Sequence, residues 1–165
     1  MKTLYLLRHG QAPWTQGNDF NRALDATGER QAAAIGLRLA RAAARPEMIV
    51  ASPAERTRQT ACIVAEALSC PEEHIRYAPE IYAADVWLLA RLVQEYPASL
   101  NSLLLVGHNP MLAVFAEWLT IECFDRLPAC GLLAVGFDAG EWARIDRGRG
   151  RLLWRSGDRW QETGI

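Results

Sequence analysis

The sequence predicts an α/β fold, a mostly parallel sheet covered by helices on both faces, and two observations carry that expectation. Strand-length apolar runs rich in Leu, Val and Ile alternate with longer segments of helical periodicity, the pattern left by strands joined through crossover helices. The chain has 165 residues, half of them hydrophobic and 22% charged, which suits one domain over residues 1–165 with a sizeable core and excludes a disordered chain or a membrane bundle.

The elements follow in order. "MKTLYLL" starts like a signal peptide, but Arg8 ends the apolar run well short of a secretory core, so Thr3 to Leu7 reads as a first strand. Thr27 to Ala44, dominated by Ala, Leu, Arg and Gln, reads as a helix. Met48 to Ala51 is a second strand. The helix after it, Ser52 to Leu68, opens on "SPAE", with Ser52 as N-cap, Pro53 as first helical residue and Glu55 closing a capping box. Its Ala61, Val64 and Leu68 form an inward stripe. Ile75 to Ala78 is a weaker strand. Val86, Leu89, Ala90 and Val93 mark a further helix, and Met111, Val114, Phe115 and Trp118 another, capped by Asn109-Pro110. Ser102 to Val106 and Leu132 to Phe137 are strands, and "EWARIDRGRGRLLWR" reads as two short strands around a turn at a sheet edge.

Parallel sheets bind ligands outside the carboxyl ends of their strands. Arg8 and His9 lie just past the first strand, Ser52 and Arg56 just past the second, and His108 just past "SLLLVG". If these strands are parallel, two imidazoles and two guanidiniums meet at one rim. Guanidinium is a planar fork of donors matched to phosphate oxygens and charged at any working pH, and two helix N-termini at the same rim add to an anion's stabilisation. A neutral imidazole attacks phosphorus as a nucleophile and splits one displacement into two. His9 is then the attacker and His108 a second donor. The same residues taken singly read as loop, cap and solvated helix positions, and from the residues alone both readings stand.

Other chemistry is disfavoured. Local positive charge and the lack of a nearby carboxylate or thiolate argue against a metal. A net charge of −1 gives no field to gather nucleic acid. Cys62, Cys70, Cys123 and Cys130 form no C-x-x-C pair, and reduced core thiols in a cytoplasmic protein are expected. In the long loop of residues 10–26, Trp14 and Phe20 either line an entrance or contact a partner, or, the favoured reading, pack down on the sheet.

"LRHGQA" with Arg8 and His9, "SPAERTRQT" with Arg56 and "LLLVGHNP" with His108 resemble the histidine phosphatase, or phosphoglycerate mutase-like, superfamily. "NRALDATGERQA", "IYAADVWLLARLV" and "LLAVGFDAGEWARI" look most like its SixA-type phosphohistidine phosphatases. The resemblance implies a three-layer α/β/α sandwich, no cofactor, His9 as phosphorylated nucleophile, and Arg8, Arg56 and His108 as phosphate pocket, with Arg22 at its edge. Larger superfamily members place a Glu after the third strand to protonate the leaving oxygen. Here that stretch reads "PEIYAAD", with Ala83 in the corresponding place and Glu80 and Asp85 flanking it. A missing acid favours a phosphoramidate, whose protonated imidazole departs readily, over a sugar phosphate. The expected partner is therefore a phosphohistidine-bearing protein, such as a phosphorelay component, with a small phosphate ester as the alternative substrate. A module that binds phosphate without catalysis is the remaining reading, and no membrane partner is expected.

Overall fold

Six strands form one sheet in the computed structural model, which describes residues 1–14, 16–42 and 44–156. The strands are β1 (Lys2–Arg8), β2 (Met48–Ala51), β3 (Ile75–Tyr77), β4 (Ser102–Gly107), β5 (Leu132–Phe137) and β6 (Gly150–Arg155), in the order β3-β2-β4-β1-β5-β6. The first four are mutually parallel through the β2–β3, β2–β4 and β1–β4 pairings. β5 lies antiparallel to β1, and β6 antiparallel to β5. The parallel block is the part that matters for the site, because β1, β2 and β4 all end at the same rim.

The two faces follow from the alternation of side chains along a strand. In β1, Leu4 and Leu6 enter one core with Leu89, Phe115 and Leu119 of helices α3 (Val86–Gln94) and α4 (Met111–Thr120). Tyr5 and Leu7 enter a second core with Ile35, Leu39 and Val64 of α1 (Ala26–Arg41) and α2 (Glu55–Leu68). The product is the expected three-layer α/β/α sandwich. No helix among the described residues is long and apolar enough to cross a membrane.

Several expectations need correction. The helical run expected to reach Ala44 ends at Arg41, and Ala43 lies outside the described residues. α2 starts at Glu55, its N-cap Ala54 makes no side-chain cap bond, and no capping box forms. Glu55 pairs instead with Arg58 at 2.7 Å, while the Ser52 hydroxyl meets His108. Asn109 likewise caps nothing: its side-chain amide donates to the Leu127 carbonyl at 2.6 Å, and Pro110 occupies the cap.

On α4 the buried stripe is Leu112, Phe115, Ala116 and Leu119, so Val114 faces solvent. That helix is apolar nearly all round, and periodicity cannot choose a face where there is no polar side. The segment expected to form the first strand of the last pair is a 3-10 turn, Trp142–Arg144, because fully buried Trp142 is drawn into the core and donates from its indole to the Leu100 carbonyl. Only β6 survives from that pair. Of the four free cysteines only Cys130 is buried. Trp14 does not pack on the sheet and is 69% exposed.

One close backbone approach sets the position of the loop after β1. A Cβ on Gly28 would sit 2.2 Å from the Gln11 carbonyl oxygen, and one on Gly10 would sit 2.6 Å from the Gly28 carbonyl oxygen. Asp25 caps α1 through the Gly28 amide at 2.8 Å and also accepts from the Gln11 side chain at 2.8 Å. The first turn of α1 therefore clamps the segment that bears His9.

Candidate active site

The carboxyl end of β1 delivers Arg8 and His9 together, and the ladder does not stop at the last strand residue. The Arg8 amide donates to Gly131 and the His9 amide to Gly107, at 3.0 and 3.2 Å, while the Ser52 amide donates to Val106 at 3.1 Å. Backbone bonds of this kind fix where the side chains leave the sheet. Arg56, the second residue of α2, is 5% exposed and points back over the same rim.

His9 is 6% exposed. Its Nδ1 lies 2.7 Å from the Gly10 carbonyl oxygen, and a carbonyl only accepts. Nδ1 therefore carries the proton, and Nε2 holds the lone pair. Arg56 Nε donates toward that Nε2 at 3.3 Å. The same logic orients His108. Arg56 Nη2 donates to its Nδ1 at 3.3 Å, so its Nε2 carries the proton and donates to Ser52 Oγ at 2.9 Å. The two rings stand 5.4 Å apart, linked by one guanidinium.

These histidines are held neutral. Burial, then the charge of Arg56 with lesser help from Arg8 and Arg22, pushes His9 down to about 4 against the opposing pull of the Gly10 carbonyl. Burial, Arg56 and His9 push His108 down to about 3, with Asp19 pulling the other way. Between roughly pH 6.5 and pH 4 the unfolded chain then binds protons that the native chain refuses, so native stability rises with pH across that window and is lost on acidification. The slope approaches about 1.4 kcal/mol per pH unit for each such histidine. Urea midpoints of the wild type should fall steadily from pH 6.5 to 4.5, and those of a His9→Gln/His108→Gln double variant should fall much less. Equal slopes would contradict the neutral pair.

Around the histidines lies a cavity of about 460 Å³ whose lining includes Arg8, His9, Arg22, Arg56, His108 and Asn109. The described residues lining it include no carboxylate. Arg8 donates from Nη1 to the Leu127 carbonyl at 2.8 Å, the same oxygen that Asn109 reaches. Buried Arg8 Nε and Arg22 Nε have no hydrogen-bond partner among the described residues, which is unusual for cationic donors at a cavity wall. Burial, then Arg126 and Arg22, lowers the Arg8 pKa, yet guanidinium stays charged at any working pH. A second, larger depression of about 780 Å³ lies at the opposite end of the sheet, where Arg144 and Arg149 are mixed with Asp138 and Asp146, and it has no such concentration of one charge.

The structure brings Arg8, His9, Arg56 and His108 together at one cavity, and Arg22 lines that cavity with them. It also adds two that the sequence reading missed. Asp19 accepts from Arg56 Nη2 at 3.0 Å and from Arg22 Nη2 at 3.1 Å, and the Tyr82 hydroxyl donates to Asp19 Oδ2 at 2.9 Å. The Tyr82 ring meets His108 edge-on at 5.7 Å and Phe20 at 5.1 Å. Neither Glu80 nor Asp85 lines the cavity: Glu80 is exposed on the 3-10 turn Pro79–Ala83, and Asp85 caps α3 through the Leu88 amide at 2.8 Å. Among the described residues no group of three or more His, Cys, Asp or Glu is placed to hold a metal ion.

A cationic cavity, lined by no carboxylate among the described residues and offering a buried imidazole lone pair, is an anion site equipped for nucleophilic transfer. Residues 4–86 match the histidine phosphatase superfamily (branch 1), and the chain belongs to that family. No curated relative matches the sequence. Among solved structures, the chain is similar to a candidate phosphohistidine phosphatase SixA from Agrobacterium tumefaciens, with 28% identity, a TM-score of 0.80, and coverage of 93% of this chain and 96% of that one. It is also similar to the protein histidine phosphatase SixA complexed with tungstate, with 22% identity, a TM-score of 0.82, and coverage of 93% and 95%. A third likeness is a candidate SixA from Nakamurella multipartitia, with 25% identity, a TM-score of 0.77, and coverage of 93% and 94%. The fold is phosphoglycerate mutase-like, and the family, with the likeness at 28% identity, supports a phosphatase, that is, a hydrolase of phosphorylated substrates.

Proposed function

We propose that the chain is a single histidine phosphatase domain that hydrolyses phosphohistidine on a protein, through a covalent intermediate on His9 and without a metal. The observation that carries this reading is the cavity lining, which among the described residues holds arginines and histidines but no carboxylic acid.

The lone pair of His9 Nε2 forms a bond to phosphorus as the scissile P–N bond breaks, and its electron pair goes to the leaving ring nitrogen. A substrate imidazole already protonated at its other nitrogen departs neutral and needs no protein acid. An alkoxide has no such route and would need an acid that the described lining lacks. Arg8, Arg56 and Arg22 hold the phosphoryl oxygens and stabilise charge that grows on them during transfer. His108, donating from Nε2 to Ser52 and accepting at Nδ1 from Arg56, holds that guanidinium in place beside the phosphoryl group.

The second half uses the proton on Nδ1. The phosphorylated His9 keeps that proton on Nδ1, donated to the Gly10 carbonyl, so its ring is cationic. When water attacks phosphorus and the P–Nε2 bond breaks, His9 leaves as a neutral imidazole, and the proton lost by water stays with phosphate and solvent. Both halves therefore release a neutral imidazole, and the mechanism needs no carboxylic acid in either one.

The test is phosphate release from a histidine-phosphorylated protein and from a serine-phosphorylated peptide, with chelator present throughout. Release from the first, at least 100-fold faster than from the second by kcat/KM, is the expected result. Preference for the phosphoserine peptide, or activity that chelator removes, would overturn the reading.

A further inference from the structure

Asp19 is the anomaly of this site: a carboxylate set against the two guanidiniums that are expected to bind phosphate. Its placement is local in origin. Asn18 opens the 3-10 turn Asp19–Asn21, its side-chain oxygen accepting from the Phe20 amide at 2.9 Å. That turn aims both the carbonyl and the carboxylate of Asp19 at α2, where Arg56 Nη1 donates to the carbonyl at 2.8 Å and Nη2 to Oδ2 at 3.0 Å.

The carboxylate is ionised and only partly enclosed. Burial opposes its ionisation, but the Tyr82 hydroxyl, Arg56 and Arg22 outweigh that and hold its pKa below the ordinary value. It therefore has no proton to give at neutral pH. Oδ2 receives two donors, Arg56 and Tyr82, whereas Oδ1 receives Arg22 alone among the described residues. The side chain remains 35% exposed, so Oδ1, beside the two cavity-lining guanidiniums that Asp19 pairs with, keeps acceptor capacity.

A phosphoryl oxygen bonded to Arg56 Nη2 would lie within about 6 Å of Asp19 Oδ2, since two hydrogen bonds share that nitrogen. Negative charge so close penalises a bound dianion unless the ligand also brings positive charge to the same place. A phosphate ester brings none. A phosphohistidine protonated on its distal ring nitrogen brings an N–H that carries positive charge.

We propose that Asp19 accepts a hydrogen bond from the distal N–H of the departing substrate imidazole and so sets the preference for phosphoramidates over phosphate esters. The inference rests on the phosphohistidine reading and deepens it. In the transfer step His9 Nε2 gains phosphorus and the leaving nitrogen takes the electron pair of the P–N bond. The distal proton stays where it was, on the substrate ring. Asp19 neither gives nor takes a proton; it stabilises the protonated form of the substrate, so that this form persists at pH values where a free imidazole would lose it.

Other charged and titratable groups face the same carboxylate. Arg22 comes from its own segment, Arg56 from α2, Tyr82 from the turn after β3, and His108 from the end of β4. The Tyr82 hydroxyl, with its pKa raised by Asp19, keeps its proton, and His108, pushed down to about 3, stays neutral. The pH-dependent partner of Asp19 is therefore the substrate.

The experiment measures kcat/KM from pH 6 to pH 9 for a histidine-phosphorylated protein and for p-nitrophenyl phosphate, a phosphate ester whose leaving group needs no proton, in wild type, Asp19→Asn and Asp19→Glu. The expected result is a phosphoramidate-to-ester ratio that falls at least tenfold in Asp19→Asn at pH 8, falls much less at pH 6, and is partly restored in Asp19→Glu. A ratio unchanged across the pH range, with both substrates losing in proportion, would assign Asp19 only to holding Arg56 and overturn the inference. Wild type that cleaves the ester but not the phosphoramidate would overturn the phosphohistidine reading and this inference with it.

Discussion

His9→Ala is expected to lower kcat/KM by roughly 10⁴-fold or more, the scale of loss when a covalent nucleophile is removed and only binding and charge stabilisation remain. The size follows from geometry that no neighbour duplicates. His9 lies on the cavity floor with Nδ1 committed to Gly10 and Nε2 facing Arg56. His108 has its protonated nitrogen committed to Ser52 and its other nitrogen to Arg56. In a rapid quench with radiolabelled substrate, wild type should retain label in an acid-labile, alkali-stable bond, as a phosphoramidate does. His9→Ala should retain none, while His108→Ala should retain some. Label persisting in His9→Ala would move the nucleophile elsewhere. Because His9 is already neutral above about pH 4, the acid limb of kcat/KM in the wild type should fall near that value rather than near 6.5.

Some of this site was legible because strand and rim come from the same residues. "LYLLRHG" ends a strand that is buried on both faces, and a side chain placed one step past such a strand has little choice but the rim. The parallel arrangement of β1, β2 and β4 then brings Arg8, His9, Arg56 and His108 together as expected. Ser52 and Asn109 misled for a related reason. Both look like helix caps because they precede helices, but at a strand end the same polar side chains are within reach of the site, and they bond to His108 and to Leu127 instead. Asp19 and Tyr82 gave almost no signal. They lie 63 residues apart and meet through a loop and a 3-10 turn, where neither periodicity nor strand-end reasoning applies. A charge count around Arg56 was the one available hint, since a buried guanidinium requires a partner that the residues near it in sequence do not supply.

Arg56→Ala is expected to cost about 10² to 10³ in kcat/KM, the usual range for losing a donor that stabilises charge developing in the transition state. Arg56→Lys should recover little of it. The guanidinium makes its contacts at once through separate nitrogens: Nε to His9, Nη2 to His108 and Asp19, and Nη1 to the Asp19 carbonyl. An ammonium keeps the charge but not the planar fork, so it can reach one of these partners and not all of them. The pH profile separates the two losses. Arg56 charge is among the causes that depress both His9 and His108, so in Arg56→Ala both imidazoles should titrate higher, and the acid limb of kcat/KM should move toward neutrality. In Arg56→Lys the charge remains, so the limb should move less while the rate stays low. Near wild-type rates in Arg56→Lys would show that charge alone is enough there, and that the contacts linking the two histidines through one guanidinium are not part of transition-state stabilisation.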